Sequence, residues 1–74
     1  SESQLANTYY MKFACYVRME RDEEALEAIL DAIEQDPDNA DYYEFLASAY
    51  SNLNRRGEAV EAMEMAERLR SQQQ

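Results

Sequence analysis

Two stretches of the 74-residue sequence repeat one another at a spacing of 34 residues. Five apolar positions of matching size recur at this offset: Tyr9 and Tyr43, Tyr16 and Tyr50, Ala25 and Ala59, Ile29 and Met63, and Ala32 and Ala66. A fixed period of about 20 to 50 residues is typical of proteins built from stacked copies of one supersecondary unit. The repeat therefore predicts two copies of a small unit and favours an interaction scaffold, although it does not identify a partner.

The composition predicts that both units are helical. Gly and Pro occur once each, which leaves little of the turn chemistry that a multi-stranded sheet requires. Strong helix formers such as Ala, Glu, Leu, Met, Gln and Arg are abundant instead. We therefore expect an all-α chain that forms one domain over residues 1–74.

Apolar residues at helical spacing predict four helices separated by short polar segments. The expected ranges are 5–19, 23–35, 40–53 and 58–71. Asp22 is a candidate N-cap for the second helix, and Asn54 suits a left-handed residue after the third. Pro37 marks the break between the two halves, because a proline disfavours helix at the preceding residue. Short connections place consecutive helices antiparallel, so we expect four antiparallel helices arranged as two stacked helix-turn-helix hairpins.

The helical faces also predict which side chains are buried. Five aromatic residues are expected to fill the core: Tyr9, Phe13, Tyr16, Tyr43 and Tyr50. The expected aliphatic core includes Leu5, Val17, Leu26, Ile29, Leu30, Ile33, Leu46, Leu53, Val60, Met63 and Leu69. Three other aromatic residues lie off these faces and are candidates for contact with a partner or a second copy: Tyr10, Tyr42 and Phe45. The single cysteine, Cys15, lies in an apolar run and is expected to pack as a small hydrophobic residue.

The charge is strongly acidic and unevenly distributed. The formal net charge is −9, and residues 20–44 contain eleven acidic residues and one basic residue. Such a surface repels the phosphates of nucleic acids and of anionic membranes, so neither is an expected partner. A solvated helix face explains most of these acids. A surface that steers a basic partner is the functional alternative.

The sequence predicts no catalytic, cofactor-binding or metal-binding residues, and we expect no enzyme. It contains no His and one Cys, so it cannot form Cys-based zinc sites or Glu-x-x-His di-iron sites. Asp36, Asp38, Asp41 and Glu44 lack the spacing and the central Gly of a calcium loop, and turn and capping chemistry explains them.

These features resemble the tetratricopeptide repeat, a 34-residue helical hairpin with the pattern W-x2-L-G-x2-Y, then A-x3-F-x2-A, then P. The second unit reads Tyr43-x2-Leu46-Ala47-x2-Tyr50 and then Ala59-x3-Met63-x2-Ala66. The first unit reads Tyr9-x2-Lys12-Phe13-x2-Tyr16 and then Ala25-x3-Ile29-x2-Ala32, and it closes on Pro37. Every spacing is kept. The resemblance implies two units, over about 6–37 and 40–71.

The first unit departs from the family pattern at three positions. Lys12 replaces the core Leu, and Phe13 replaces the Gly that lets the helices of a hairpin approach. Glu20 stands where the family often has Gly to end the first helix. We therefore expect helix one to be rotated, with Phe13 rather than Lys12 pointing inward.

The resemblance also implies a binding surface. In this family the inner face of each unit's first helix lines a groove for an extended peptide or a helix. The corresponding residues, called the inner face below, are Asn7, Tyr10, Ala14, Arg18, Asp41, Glu44, Ser48 and Asn52. Chaperone-docking members hold a peptide carboxylate with Lys, Asn and Arg, whereas this chain places Tyr10, Ala14, Asp41 and Glu44 there, so a carboxylate clamp is not expected. A peptide or protein of basic or amphipathic character fits better.

Two interpretations of this chain remain open. One is a non-catalytic protein-interaction scaffold, cytoplasmic if natural, and either a monomer or a weak homodimer. The other is an engineered or de novo designed helical bundle with no natural ligand or activity. The chain begins with Ser rather than Met, and we expect an excised fragment, a processed product or an engineered protein.

Overall fold

The computed structural model describes residues 1–74 and contains four helices and no strand. The helices are α1 (Glu2–Arg18), α2 (Asp22–Gln35), α3 (Ala40–Asn52) and α4 (Arg56–Gln72). They pack in consecutive pairs, α1 on α2, α2 on α3 and α3 on α4. The all-α fold of two helical hairpins is therefore confirmed. No helix is long and apolar enough to cross a membrane.

α1 begins earlier than the apolar pattern predicts because a capping box precedes the pattern. The Gln4 backbone N–H donates to the Ser1 hydroxyl at 3.3 Å, and the Ser1 amino group donates to the Gln4 side chain at 3.0 Å. These bonds satisfy backbone and amino donors that a helix start otherwise leaves unpaired. The polar first turn is thus helical although it buries no apolar side chain.

The two hairpin turns have the same geometry, 34 residues apart. Glu20 and Asn54 both adopt the left-handed conformation, with φ of 58° and 61°. In each turn the next residue donates its N–H back to a tyrosine carbonyl, Arg21 to Tyr16 and Arg55 to Tyr50, both at 2.9 Å. This bond ends the first helix of each hairpin. The left-handed conformation expected at Asn54 is confirmed, and Glu20 adopts it without the advantage of Gly.

An arginine follows each left-handed residue and reaches two groups. The Arg21 guanidinium pairs with Glu24 and lies over the Tyr16 ring, 5.3 Å from its centroid. Arg55 pairs with Glu58 and lies 4.9 Å from the Tyr50 centroid. These exposed ion pairs contribute little each, but the ring contacts hold the same turn shape in both units.

The N-cap expected at Asp22 is wrong. Arg21 occupies the N-cap position, without a side-chain capping bond, and Asp22 is the first helical residue of α2. The bond from the Arg21 N–H to the Tyr16 carbonyl fixes this register. Asp22 then lies in the first turn of α2, where the helix dipole favours an acid.

The core lies along both sides of α2, and small residues make that possible. Six alanines on α2 and α4 are buried: Ala25, Ala28, Ala32, Ala59, Ala62 and Ala66. Small side chains let neighbouring helices approach closely. On α1, Phe13 is buried and Lys12 is exposed, so the predicted rotation of this helix is confirmed.

Several predicted core residues are not buried. Of the five aromatic residues expected there, Phe13 is buried, whereas the four tyrosines are half-buried and pack against the core. Five aliphatic residues of the expected set are exposed: Leu5, Val17, Leu30, Val60 and Met63. The reason is that an apolar stripe fixes a face of a helix but does not determine whether another helix covers all of it.

The paired turns generate a prediction about stability. Glu20→Gly removes the steric cost of a left-handed non-glycine residue, so it should stabilise the fold by about 0.5–1 kcal/mol. Asn54→Gly is the matched control at the equivalent position, and it should stabilise less because Asn tolerates this conformation better. Urea unfolding of both variants measures the difference. An equal or reversed order would contradict this account of the turns.

Candidate peptide-binding face

The inner face consists of two equivalent rows of side chains, one on α1 and one on α3. Within each row the residues are three, four and four positions apart, which places them on one side of a helix. None of the eight is buried. Five are exposed and three are half-buried, the latter being Tyr10, Ala14 and Glu44. All eight residues therefore remain accessible for contact with a ligand.

An aromatic cluster joins α1 to α3 at this face. The Tyr10 ring stacks on Tyr42 at 6.0 Å between centroids and lies 5.1 Å from Phe45. Phe13 lies 5.7 Å from Phe45 and 6.2 Å from Tyr10. Aromatic pairs at these separations attract one another beyond the area that they bury. The cluster therefore fixes the two rows beside each other.

The cluster corrects the prediction that Tyr10, Tyr42 and Phe45 lie free of the core. Tyr42 is only 9% exposed, and Tyr10 and Phe45 are half-buried against the core. The rings meet because α1 is rotated to bring Phe13 inward. Their signal in the sequence is a Tyr-x2-Phe pair on each helix, 32 residues apart, which a comparison at the 34-residue offset does not align.

Arg70 of α4 borders the inner face and was not predicted from the sequence. Its Nη2 donates to Asp41 Oδ1 at 2.8 Å, and its Nη1 pairs with Glu44 Oε2. These hydrogen bonds, first that to Glu44 and then that to Asp41, raise the pKa of Arg70. The second oxygen of each carboxylate has no partner in the chain. The acidic end of the inner face is thus partly neutralised and still able to accept hydrogen bonds.

Cys15 lies away from the inner face and is exposed, so its predicted packing in the core is wrong. Phe13 points inward, and a residue two positions further along a helix lies on nearly the opposite side. Cys15 therefore shares the outer side of α1 with the exposed Met11 and Met19. No group of three or more His, Cys, Asp or Glu residues is placed to hold a metal ion.

Comparison with known families supports the repeat organisation. The family model of the tetratricopeptide repeat matches residues 6–39 and 40–73. Each match spans one hairpin, from α1 to α2 and from α3 to α4. The chain matches no curated protein and no solved structure.

Tyr42 has the most restricted environment in the aromatic cluster. Burial of its phenol raises its pKa, and the nearby Asp36 and Tyr10 raise the pKa further. Each of these effects disfavours the phenolate in the folded chain. The neutral phenol is therefore part of the contact between α1 and α3.

The raised pKa of Tyr42 predicts how stability depends on pH. Its contribution is fully present below the unfolded value of about 10 and is lost as the pH rises through the folded pKa. Between pH 9 and pH 11 the free energy of unfolding should fall less for Tyr42→Phe than for the unsubstituted chain. Urea unfolding across this pH range tests the difference, and identical pH dependence of the two proteins would contradict it.

Proposed function

The chain belongs to the tetratricopeptide-repeat family, and from that premise we propose that it is a non-catalytic scaffold that binds a peptide or a helix on its inner face. Repeats of this family are generally protein–protein interaction scaffolds and are generally non-catalytic. The binding site, the ligand chemistry and the treatment of residues 1–74 as one domain belong to the proposal.

The observation that carries this proposal is the half-buried pair of rings at the junction of the two rows. Tyr10 and Phe45 lie 5.1 Å apart and keep part of their surface in solvent. The inner face also offers Ala14 and Ser48, which are small and leave room for a ligand side chain. Rigid aromatic rings are frequent energetic centres of binding surfaces. An apolar side chain of the ligand would pack against these two rings.

The charges beside the rings favour a basic or amphipathic ligand. Asp41 and Glu44 each use one carboxylate oxygen on Arg70 and keep the other free. A Lys or Arg of the ligand could donate to these free oxygens in a charge-assisted hydrogen bond. The net charge of −9 adds long-range attraction for a cation and repulsion for nucleic acids and anionic membranes. If natural, the scaffold would fit a reducing compartment such as the cytoplasm, because its single cysteine is exposed and unpaired.

An NMR titration with two matched peptides tests the proposal. The first probe is a synthetic amphipathic helix with Leu on one face and Lys on the other, and the second carries Glu in place of every Lys. We expect the Lys peptide to shift the backbone amide signals of the inner face, with the largest changes near Tyr10, Glu44 and Ser48. The Glu peptide should leave these signals in place, since it would meet Asp41 and Glu44 with like charge.

Two serine variants on α3 provide the matched control. Ser48 belongs to the inner face, whereas Ser51 lies three residues further along the helix, and both are exposed. Ser48→Arg should weaken binding of the Lys peptide by at least about fivefold through bulk and like charge, and Ser51→Arg should leave it within about twofold. Signal changes confined to α2, or equal effects of the two variants, would place binding elsewhere. A chain that binds neither peptide would favour the alternative of a helical bundle without a ligand.

A further inference from the structure

The outer side of α4 carries an apolar groove that no part of the chain covers. Val60 and Met63 lie at its centre and are 58% and 40% exposed. Ala47 and Ser51 of α3 form its floor, and Arg56 and Glu67 lie toward its two ends. The groove has a volume of about 590 Å³. We call this surface the open face.

The repeat shows what kind of surface the open face is. Val60 and Met63 correspond, at the 34-residue offset, to Leu26 and Ile29 of α2. Those two residues are buried, and α2 contacts a helix on each side, α1 and α3. α4 contacts α3 but has no helix on its other side. The open face is therefore the counterpart of a surface that, in the first unit, contributes to contacts between helices.

We propose that the open face binds a second copy of this chain, with α4 antiparallel to α4 of the other copy. A two-fold axis brings the same surface of both copies together, so residue i contacts j and residue j contacts i. If the axis passes between positions 61 and 62, Val60 lies opposite Met63 of the second copy. The same register places Arg56 opposite Glu67, so one arrangement matches both the apolar centre and the charged ends.

The charges at the two ends are available for this contact. Arg56 and Glu67 are exposed, and neither takes part in an ion pair within the chain. Their opposite signs at opposite ends of the groove are complementary only when the second α4 runs antiparallel. Two Arg56–Glu67 pairs would then flank two Val60–Met63 contacts. Charge pairs at the rim fix the register of an interface, while its apolar centre provides most of the burial.

A head-to-tail stack of copies reproduces the contact inside the chain less well. In such a stack the open face of one copy would meet α1 of the next. At the 34-residue offset, Tyr10 and Phe13 become Glu44 and Ala47, and Tyr42 and Phe45 become Thr8 and Met11. None of the four rings that join the two units would be present at the new junction. The two-fold arrangement is therefore favoured.

Sedimentation equilibrium of the 74-residue chain between about 10 µM and 1 mM tests the proposal, because an interface below about 1,200 Å² is expected to be weak. The average mass should rise from 8.7 kDa toward twice that value. Arg56→Glu and Glu67→Arg should each weaken dimerisation at least fivefold, since each places like charges opposite one another. The double variant Arg56→Glu/Glu67→Arg should recover to within twofold, and an equimolar mixture of the single variants should form a heterodimer in preference to either homodimer.

Glu27→Arg on the exposed side of α2 is the control with the same change of charge as Glu67→Arg. It should not weaken dimerisation, because it lies outside the open face and lowers the net negative charge. Circular dichroism of every variant establishes that the helices are intact. A mass that stays at 8.7 kDa, single variants that dimerise normally, or a double variant that does not recover would each overturn the proposal. Loss of dimerisation on Met11→Lys, with none on Arg56→Glu, would assign the contact to α1 and overturn it equally.

Discussion

The burial of α2 between α1 and α3 is the interaction on which the rest of the structure depends. Ala25, Ala28 and Ala32 are at most 3% exposed, and their small side chains let both neighbouring helices approach. Ile29, fully buried among them, is the largest side chain with no access to solvent. Without this contact the chain would consist of two separate hairpins, and a hairpin alone has too little core to be stable.

The contact through α2 also determines what the surface can do. It brings α1 and α3 close enough for the four rings of the aromatic cluster to meet, which places the two rows of the inner face side by side. Most of the acids of residues 20–44 lie on α2 and its flanking turns, whereas Asp41 and Glu44 lie on α3 and contact Arg70. The acidic block and the inner face are thus largely separate surfaces. The block provides long-range attraction, and the inner face provides local contacts.

The sequence predicts those features that depend on local spacing. The helical periodicity gives the four helices, the pattern of the first unit gives the inward direction of Phe13, and the position of Asn54 gives its left-handed conformation. The aromatic cluster depends on how two helices meet across the units. Its four rings repeat at 32 rather than 34 residues, so the spacing that reveals the repeat conceals the cluster.

Contacts between distant residues and the coverage of faces are the features that the sequence does not predict. Arg70 pairs with Asp41 across 29 residues, and no local pattern connects them. Val60 and Met63 occupy positions that are buried in the first unit, yet they are exposed here because α4 has a helix on one side only. A repeat gives equivalent positions in its units but not equivalent neighbours.

The most direct test of the central claim is a measurement of nuclear Overhauser effects between aromatic rings of the free chain in solution. Stacking of the hairpins as described predicts cross-peaks between Tyr10 and Tyr42 and between Phe13 and Phe45, whose ring centroids lie 6.0 Å and 5.7 Å apart. An intact helical spectrum without these cross-peaks would mean that the hairpins fold but do not stack in this way. The inner face would then not exist as one surface.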